Sequence, residues 1–175
     1  KIVSLLDMVK LSDSDSLSEK YVRYICGIEP ERQYKHQEIL DVKCLLDNIY
    51  LPVGQADGFI FGYVVPQLNK EFDLLKITDS VCLNIELKSC EVSVEKIKRQ
   101  LRQNTHYLKL LNKRTLLSFL FVSSTMSVFT LDEQDEVVEA TLQDVRNAII
   151  SSGDIETVDL DRVFLPSNIL VSPLN

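Results

Sequence analysis

The chain has 175 residues, 45% of them hydrophobic and 26% charged, with only 5 Gly and 5 Pro, which excludes a disordered or low-complexity protein. That length buries one substantial core but not two, so a single domain over residues 1–175 is expected. A net charge of −7 argues against tight nonspecific nucleic-acid binding by the bulk surface. No apolar run approaches the roughly 20 residues that span a bilayer, and residues 1–10 lack the uncharged core of a signal peptide, so a soluble cytoplasmic protein without membrane contact is expected.

Residues 1–28 read as a lead-in: an apolar patch, then the Ser12-Asp13-Ser14-Asp15-Ser16 tract with several helix caps but no packing face, then a short helix through Tyr21 to Ile25. Over residues 31–46, Tyr34, Ile39, Val42, Leu45 and Leu46 approximate helical spacing behind Pro30, which a helix tolerates at its start. The breaker region 52–58 leads into three β-rich runs, 59–65, 71–77 and 81–88, with the spacing of an antiparallel meander. Ser93 then caps a second helix whose apolar stripe is Val94, Ile97, Leu101, Leu108 and Leu111. Residues 116–122 are a continuous apolar run expected to be a strand buried on both faces; 126–131 is a further strand, and 137–150 a helix stopped near Gly153. This order predicts an α/β fold, a central mixed β-sheet flanked by helices, because a fully buried strand needs cover on each side.

Cys26, Cys44, Cys82 and Cys90 lie in apolar or mixed segments without a C-x-x-C pair and are expected to be buried free thiols. His36 and His106 have no partner at metal-ligand spacing.

The chemistry-bearing pattern lies in the second and third β-runs. If Asp79 and Ser80 form a two-residue turn, Asp73 falls opposite Glu86 with Cβ atoms about 5 Å apart, whereas a three-residue turn would shift that register. Lys88, two residues past Glu86, then points the same way. Like charges facing each other in a sheet are destabilising, and a divalent cation compensates them. Mg²⁺ takes one or two carboxylates plus waters and phosphate oxygens, which Asp73 and Glu86 can offer, with Lys88 beside them to position a water and stabilise phosphoryl charge. An E-x-K tripeptide alone arises by chance at roughly one position in a few hundred. Asp41-Val42-Lys43 is such a case, because residues two apart on a helix do not share a face.

Context singles out Glu86: Glu-Phe-Asp73-Leu-Leu, then Asn-Ile-Glu86-Leu-Lys88-Ser, then a helix carrying Gln100, Gln103 and Tyr107. This succession, spanning residues 31–122, resembles the PD-(D/E)XK, or restriction-endonuclease-like, nuclease superfamily. The resemblance implies that Asp73, Glu86 and the backbone carbonyl of Leu87 hold Mg²⁺ or Mn²⁺, and that Lys88 serves the hydrolytic water. Gln103-Asn104-Thr105-His106-Tyr107 matches the Q-x-x-x-Y element of some branches, and Glu38, or alternatively Glu31, matches a Glu found on the preceding helix. Phe72 stands where the name-giving Pro would be. The blander account makes Tyr107 a half-buried aromatic and Gln103 a solvated surface residue.

Lys96, Lys98, Arg99, Arg102, Lys109, Lys113 and Arg114 crowd onto and just beyond the second helix, while acids collect between 132 and 161. A basic stripe beside a catalytic edge steers a phosphate backbone, which makes Lys96, Arg99, Arg102 and Lys109 candidate nucleic-acid contacts, for DNA ahead of RNA. The same run also reads as the solvated face of an amphipathic helix. The tail 164–175 resembles the junction between an N-terminal nuclease domain and a helicase-type ATPase in large bacterial proteins, some associated with phage defence. Residues 165–175 are therefore expected to lead into a C-terminal domain, and a start without Met fits a piece of something longer. No Walker phosphate loop occurs in these residues. The rival reading is a noncatalytic protein-interaction module on the same fold, and an RNA-cutting enzyme would share the same site.

Overall fold

The computed structural model describes residues 2–10, 14–26, 36–66, 68, 70–111, 114–153 and 155–169. Seven strands form one sheet in sequence order: β1 (Ile2–Ser4), β2 (Asp57–Val65), β3 (Lys70–Ile77), β4 (Val81–Lys88), β5 (Thr115–Val122), β6 (Ser127–Leu131) and β7 (Val137–Ala140). Every neighbouring pair is antiparallel except β4 and β5, which run parallel. A parallel pair needs a crossover, and α4 (Val94–Leu108) supplies it. The expected α/β class and mixed sheet are therefore present.

Strand alternation assigns the two faces. Leu83, Ile85 and Leu87 of β4 point into the larger core with α1 (Leu5–Lys10), α3 (His36–Ile49) and α5 (Leu142–Ser151). On the other face Leu108 meets Leu75, Ile77 and Cys82, while Ile97 and Leu101 pack on Leu120 and Val122. The helix thus sits where Ile97, Leu101 and Leu108 of its apolar stripe direct it, with Ser93 as the N-cap, whereas Val94 in its first turn is exposed rather than part of the buried stripe.

Several boundaries differ from the sequence expectation. The apolar patch of the lead-in forms β1, which pairs with β2, and α1, in which Leu5 and Met8 are fully buried. The helix expected through Tyr21 to Ile25 is α2 (Asp15–Cys26), which starts earlier than the expectation. The helix expected over 31–46 is described from His36 to Ile49; Pro30, Glu31 and Tyr34 lie outside the described residues. Residues 137–140 form an edge strand rather than the start of a helix, and α5 begins only after Thr141, whose side chain and that of Asp144 form a reciprocal capping box. The apolar run of β5 is only half-buried at its first positions and buried from Phe119 onward.

Phe164, after α6 (Leu160–Val163), is fully buried, its ring 6.0 Å from Phe72 and 5.9 Å from Tyr63, and α7 (Pro166–Ile169) follows; residues 170–175 lie outside the described set. Cys44, Cys82 and Cys90 are free thiols, but only Cys82 is buried, while Cys90 is exposed in the β4–α4 loop; the side chain of Cys26 is outside the description. No described helix is long and apolar enough to cross a membrane.

Candidate functional site

The β3–β4 hairpin sets the geometry. Ile77 pairs with Cys82, Leu75 with Asn84 and Leu74 with Ile85, and the Thr78 N–H donates to the Val81 carbonyl at 2.9 Å, so Asp79 and Ser80 are the two turn residues. Continued by one step, that register sets Asp73 against Glu86 on the face covered by α4. Here a side chain replaces the backbone ladder, since the Leu87 N–H donates to Asp73 Oδ2 at 2.8 Å. Both carboxylates are buried, Asp73 at 6% and Glu86 at 3% exposure.

Lys88 folds back over this pair. Its ammonium donates to Glu86 Oε1 at 2.7 Å and to the Leu87 carbonyl at 3.1 Å. The other Glu86 oxygen, Oε2, accepts from Asn104 Nδ2 of α4 at 3.0 Å. Two strands and one helix thus converge on one small group of oxygens, with a single ammonium bridging two of them.

Burial first, then the charges of Glu86 and Glu38, push Asp73 well above the ordinary carboxylate range, against the pull of the Leu87 N–H and Lys88. For Glu86 burial acts in the same upward direction, but Lys88, Lys70 and the Asn104 amide outweigh it and hold Glu86 below its usual value. Burial likewise works against the charged form of Lys88, yet Glu86, Asp73 and Glu38 raise it above a free lysine. The two carboxylates are therefore driven apart, one toward the protonated form and the other held ionised. That split is the behaviour expected of acids sharing one site.

The remaining candidates are placed unequally. Glu38, on the first turn of α3, is near enough for its charge to act on both Asp73 and Lys88. Tyr107 is half-buried against the cluster of Phe72, Leu75 and Leu108. Gln103 is exposed, and no hydrogen bond joins it to the carboxylates among the described residues. The helix turns it outward because Ile97, Leu101 and Leu108 fix the buried stripe. In that stripe the polar residue is Asn104, completely buried.

The basic residues are not stacked on the carboxylates. Lys98, Arg99, Arg102, Lys109 and the exposed Gln103 line a depression of about 670 Å³ on the outer side of α4, whose wall also holds Glu95 and Asp135. Lys98 pairs with Glu136 at 2.6 Å and Arg102 with Asp135 at 3.7 Å, so two of the cations are turned toward the β6–β7 turn. Lys96 is exposed outside this depression. The lysines whose charges act on Glu86 are Lys88 and Lys70.

Lys70 and Asn104 are site neighbours that the motif does not reveal. Lys70 carries no pattern of its own; only the fold brings it within range of both carboxylates. Asn104 has a legible signal, a polar residue at the inner position of an otherwise apolar stripe. Asp41, dismissed as part of a D-x-K motif, is indeed apart from Lys43, which pairs with Asp47 at 2.8 Å. Its buried carboxylate accepts from Ser89 Oγ at 2.8 Å and Ser123 Oγ at 2.6 Å, and the Ser123 N–H donates to the Lys88 carbonyl at 2.9 Å. Helix α3 thereby clamps the chain immediately after Lys88.

The donor set fits a hard divalent cation. It consists of oxygens alone, two of them on carboxylates that oppose each other, and the ammonium of Lys88 already joins Glu86 to the Leu87 carbonyl as a shared positive charge would. Among the described residues no three His, Cys, Asp or Glu side chains form a complete cage. Mg²⁺ does not require one, because it keeps several waters. No protein-family model matches the chain, and no curated protein matches it in sequence.

Proposed function

We propose that this chain is a metal-dependent nuclease that hydrolyses phosphodiester bonds of DNA on a restriction-endonuclease-like fold. The observation that carries the reading is the convergence of Asp73, Glu86 and Lys88 with the Leu87 backbone at one buried point. An undisturbed structural hairpin has no use for two facing buried acids.

Asp73, Glu86 and the Leu87 carbonyl would hold Mg²⁺ or Mn²⁺. Bound there, the ion polarises a phosphoryl oxygen and neutralises charge that builds up on it. The chain's own groups supply the rest. Lys88, raised by its acidic neighbours, stays an ammonium at neutral pH, so it acts by donating hydrogen bonds to the attacking water and to phosphoryl oxygens rather than by removing a proton. Glu38 is the carboxylate left to accept that proton. Lys70 adds a second positive charge beside Glu86. A helicase-type domain in the same protein would supply the nucleic-acid affinity that a net charge of −7 denies this chain.

The direct test incubates the purified chain with DNA and with RNA, in Mn²⁺ or Mg²⁺ and in chelator. Metal-dependent cleavage of DNA, lost in Glu86→Ala with the fold retained by circular dichroism, is expected. Cleavage of RNA alone would move the substrate class, and no metal-dependent cleavage of either polymer would favour the noncatalytic module.

A second expectation concerns the outer side of α4. Arg99 and Lys109 make no ion pair among the described residues, which leaves them available to phosphate. Replacing both by Ala should flatten the slope of log affinity against log salt by about 2 in a DNA-binding titration, roughly 1 per lost contact. An unchanged slope would place the DNA path on another surface.

A further inference from the structure

Asn104 is the feature that the motif leaves unexplained. It is completely buried in the middle of α4, where the neighbouring inward positions are Ile97, Leu101 and Leu108. An amide in such a stripe costs desolvation, which is recovered only if both of its ends find partners. One end does: Nδ2 donates to Glu86 Oε2 at 3.0 Å. The orientation is forced, because an ionised carboxylate can only accept and so must face the nitrogen. The other end does not, since Oδ1 is buried without a donor among the described residues.

Buried acceptors left over in this way call for a specific explanation. The two ends of a planar amide are about 2.2 Å apart, so Oδ1 lies within about 5 Å of the Glu86 carboxylate. Asn84 provides the contrast. It is equally buried on the same sheet face with an unpartnered Oδ1, but its nitrogen is committed to Ser118 Oγ at 3.0 Å and bonds to neither carboxylate.

We propose that Asn104 completes the cation site: its nitrogen holds Glu86 in place, and its carbonyl oxygen is a further hard donor for the divalent ion, directly or through one of the ion's waters. Two carboxylates, a backbone carbonyl and a neutral amide oxygen make a donor set suited to Mg²⁺ or Mn²⁺ without the repulsion that a third carboxylate would add. The inference rests on the metal-dependent reading above.

Mn²⁺ binding to the full chain, followed by the EPR signal of the free ion and by the thermal shift the ion produces, separates the possibilities. Asn104→Leu, close in volume, removes both functions of the amide and should weaken Mn²⁺ binding by about 10- to 100-fold. Asn104→Asp removes the nitrogen donor but keeps an oxygen. It should bind Mn²⁺ within about threefold of wild type at pH 8, although it melts lower than wild type without metal. Asn84→Leu should bind as wild type.

Equal losses in Asn104→Leu and Asn104→Asp would reduce Asn104 to a support for Glu86 and overturn the oxygen-donor role. Wild-type affinity in Asn104→Leu, or an equal loss in Asn84→Leu, would overturn the inference while leaving the nuclease reading intact. Absence of Mn²⁺ binding by the wild-type chain would overturn both. Should Asn104→Leu fail to fold, Asn104→Asp carries the test, because a loss of Mn²⁺ binding there well beyond about threefold would overturn the oxygen-donor role.

Discussion

Asp73→Asn is expected to abolish metal-dependent cleavage while making the metal-free protein more stable. The loss of activity follows from removing a carboxylate from the proposed cation site. The ion is asked for several kcal/mol of charge stabilisation in the transition state, so a fall of about 10³-fold or more is expected. The gain in stability follows from the electrostatics of the pair. Asp73 is pushed up from 3.8 chiefly by burial, then by Glu86 and Glu38. A carboxyl raised in the folded state contributes stability that is fully present below about pH 4 and is lost as pH climbs through its folded value. At neutral pH burial and the neighbouring acids still oppose the charge of Asp73, a cost that the neutral Asn does not carry. The Asn side chain retains an oxygen to accept from the Leu87 N–H, so the geometric cost is small. A gain of about 1 kcal/mol, read as a Tm rise of about 2–4 °C at pH 7.5, is expected, together with disappearance of the Mn²⁺-induced thermal shift. Below pH 4 the difference between variant and wild type should vanish. A variant that melts below wild type at neutral pH, or still shifts with Mn²⁺, would show that Asp73 is a structural acid.

The hairpin was readable because its rules are local. Asp79 and Ser80 separate two runs rich in apolar residues, and once the turn length is two the register of every pair follows by counting, which is how Asp73 and Glu86 come to face each other. Strand alternation then places Lys88 without further information. Errors arose where tertiary context decides. Strand β1 has three residues, too few to carry a period, and exists only because β2 offers an edge to pair with. Residues 137–140 suit a strand as well as a helix, and the decisive signal was the Thr141 to Asp144 capping box, whose place four residues into the expected helix marks the true start.

The Q-x-x-x-Y match is a different case. Gln103 and Tyr107 have the required spacing, but spacing says nothing about which way the helix is rotated. The buried stripe fixes that rotation, so Asn104 faces the sheet and Gln103 faces outward. The phase of α4 makes Asn104, not Gln103, the inward polar residue of the helix. The basic cluster is a related case: the cations lie on α4 as the sequence places them, but Glu136 and Asp135 hold two of them away from the sheet face where the carboxylates lie. Lys70 and the Asp41–Ser89–Ser123 clamp depend wholly on long-range packing and had no sequence signal.

Lys88→Met is expected to give the mirror image of the Asp73 variant: cleavage lost, the metal-free protein destabilised, and Mn²⁺ bound more tightly than by wild type. The ammonium donates to Glu86 Oε1 and to the Leu87 carbonyl, the same oxygens that would turn toward a divalent ion. It therefore acts as an internal counter-ion that the metal must displace or share. Removing it leaves Glu86 buried and without its main partner. Breaking a fully buried pair costs about 3–5 kcal/mol, but the Lys88 side chain is 33% exposed and solvent screens part of the interaction. A discounted cost of about 1–2 kcal/mol, a Tm drop of about 2–8 °C without metal, is the expected result. Saturating Mn²⁺ should recover most of that drop, because the ion replaces the missing positive charge. Cleavage should still fall by about 10²–10³-fold, since the hydrogen bonds to water and phosphoryl oxygen are gone. The crossed signs are the diagnostic feature: relative to wild type, Asp73→Asn melts higher without metal and ignores Mn²⁺, whereas Lys88→Met melts lower and responds to Mn²⁺ more strongly. A Lys88→Met protein whose Mn²⁺ response matches wild type would mean that the ammonium and the cation do not share those oxygens, and the proposed site would have to lie elsewhere on the sheet.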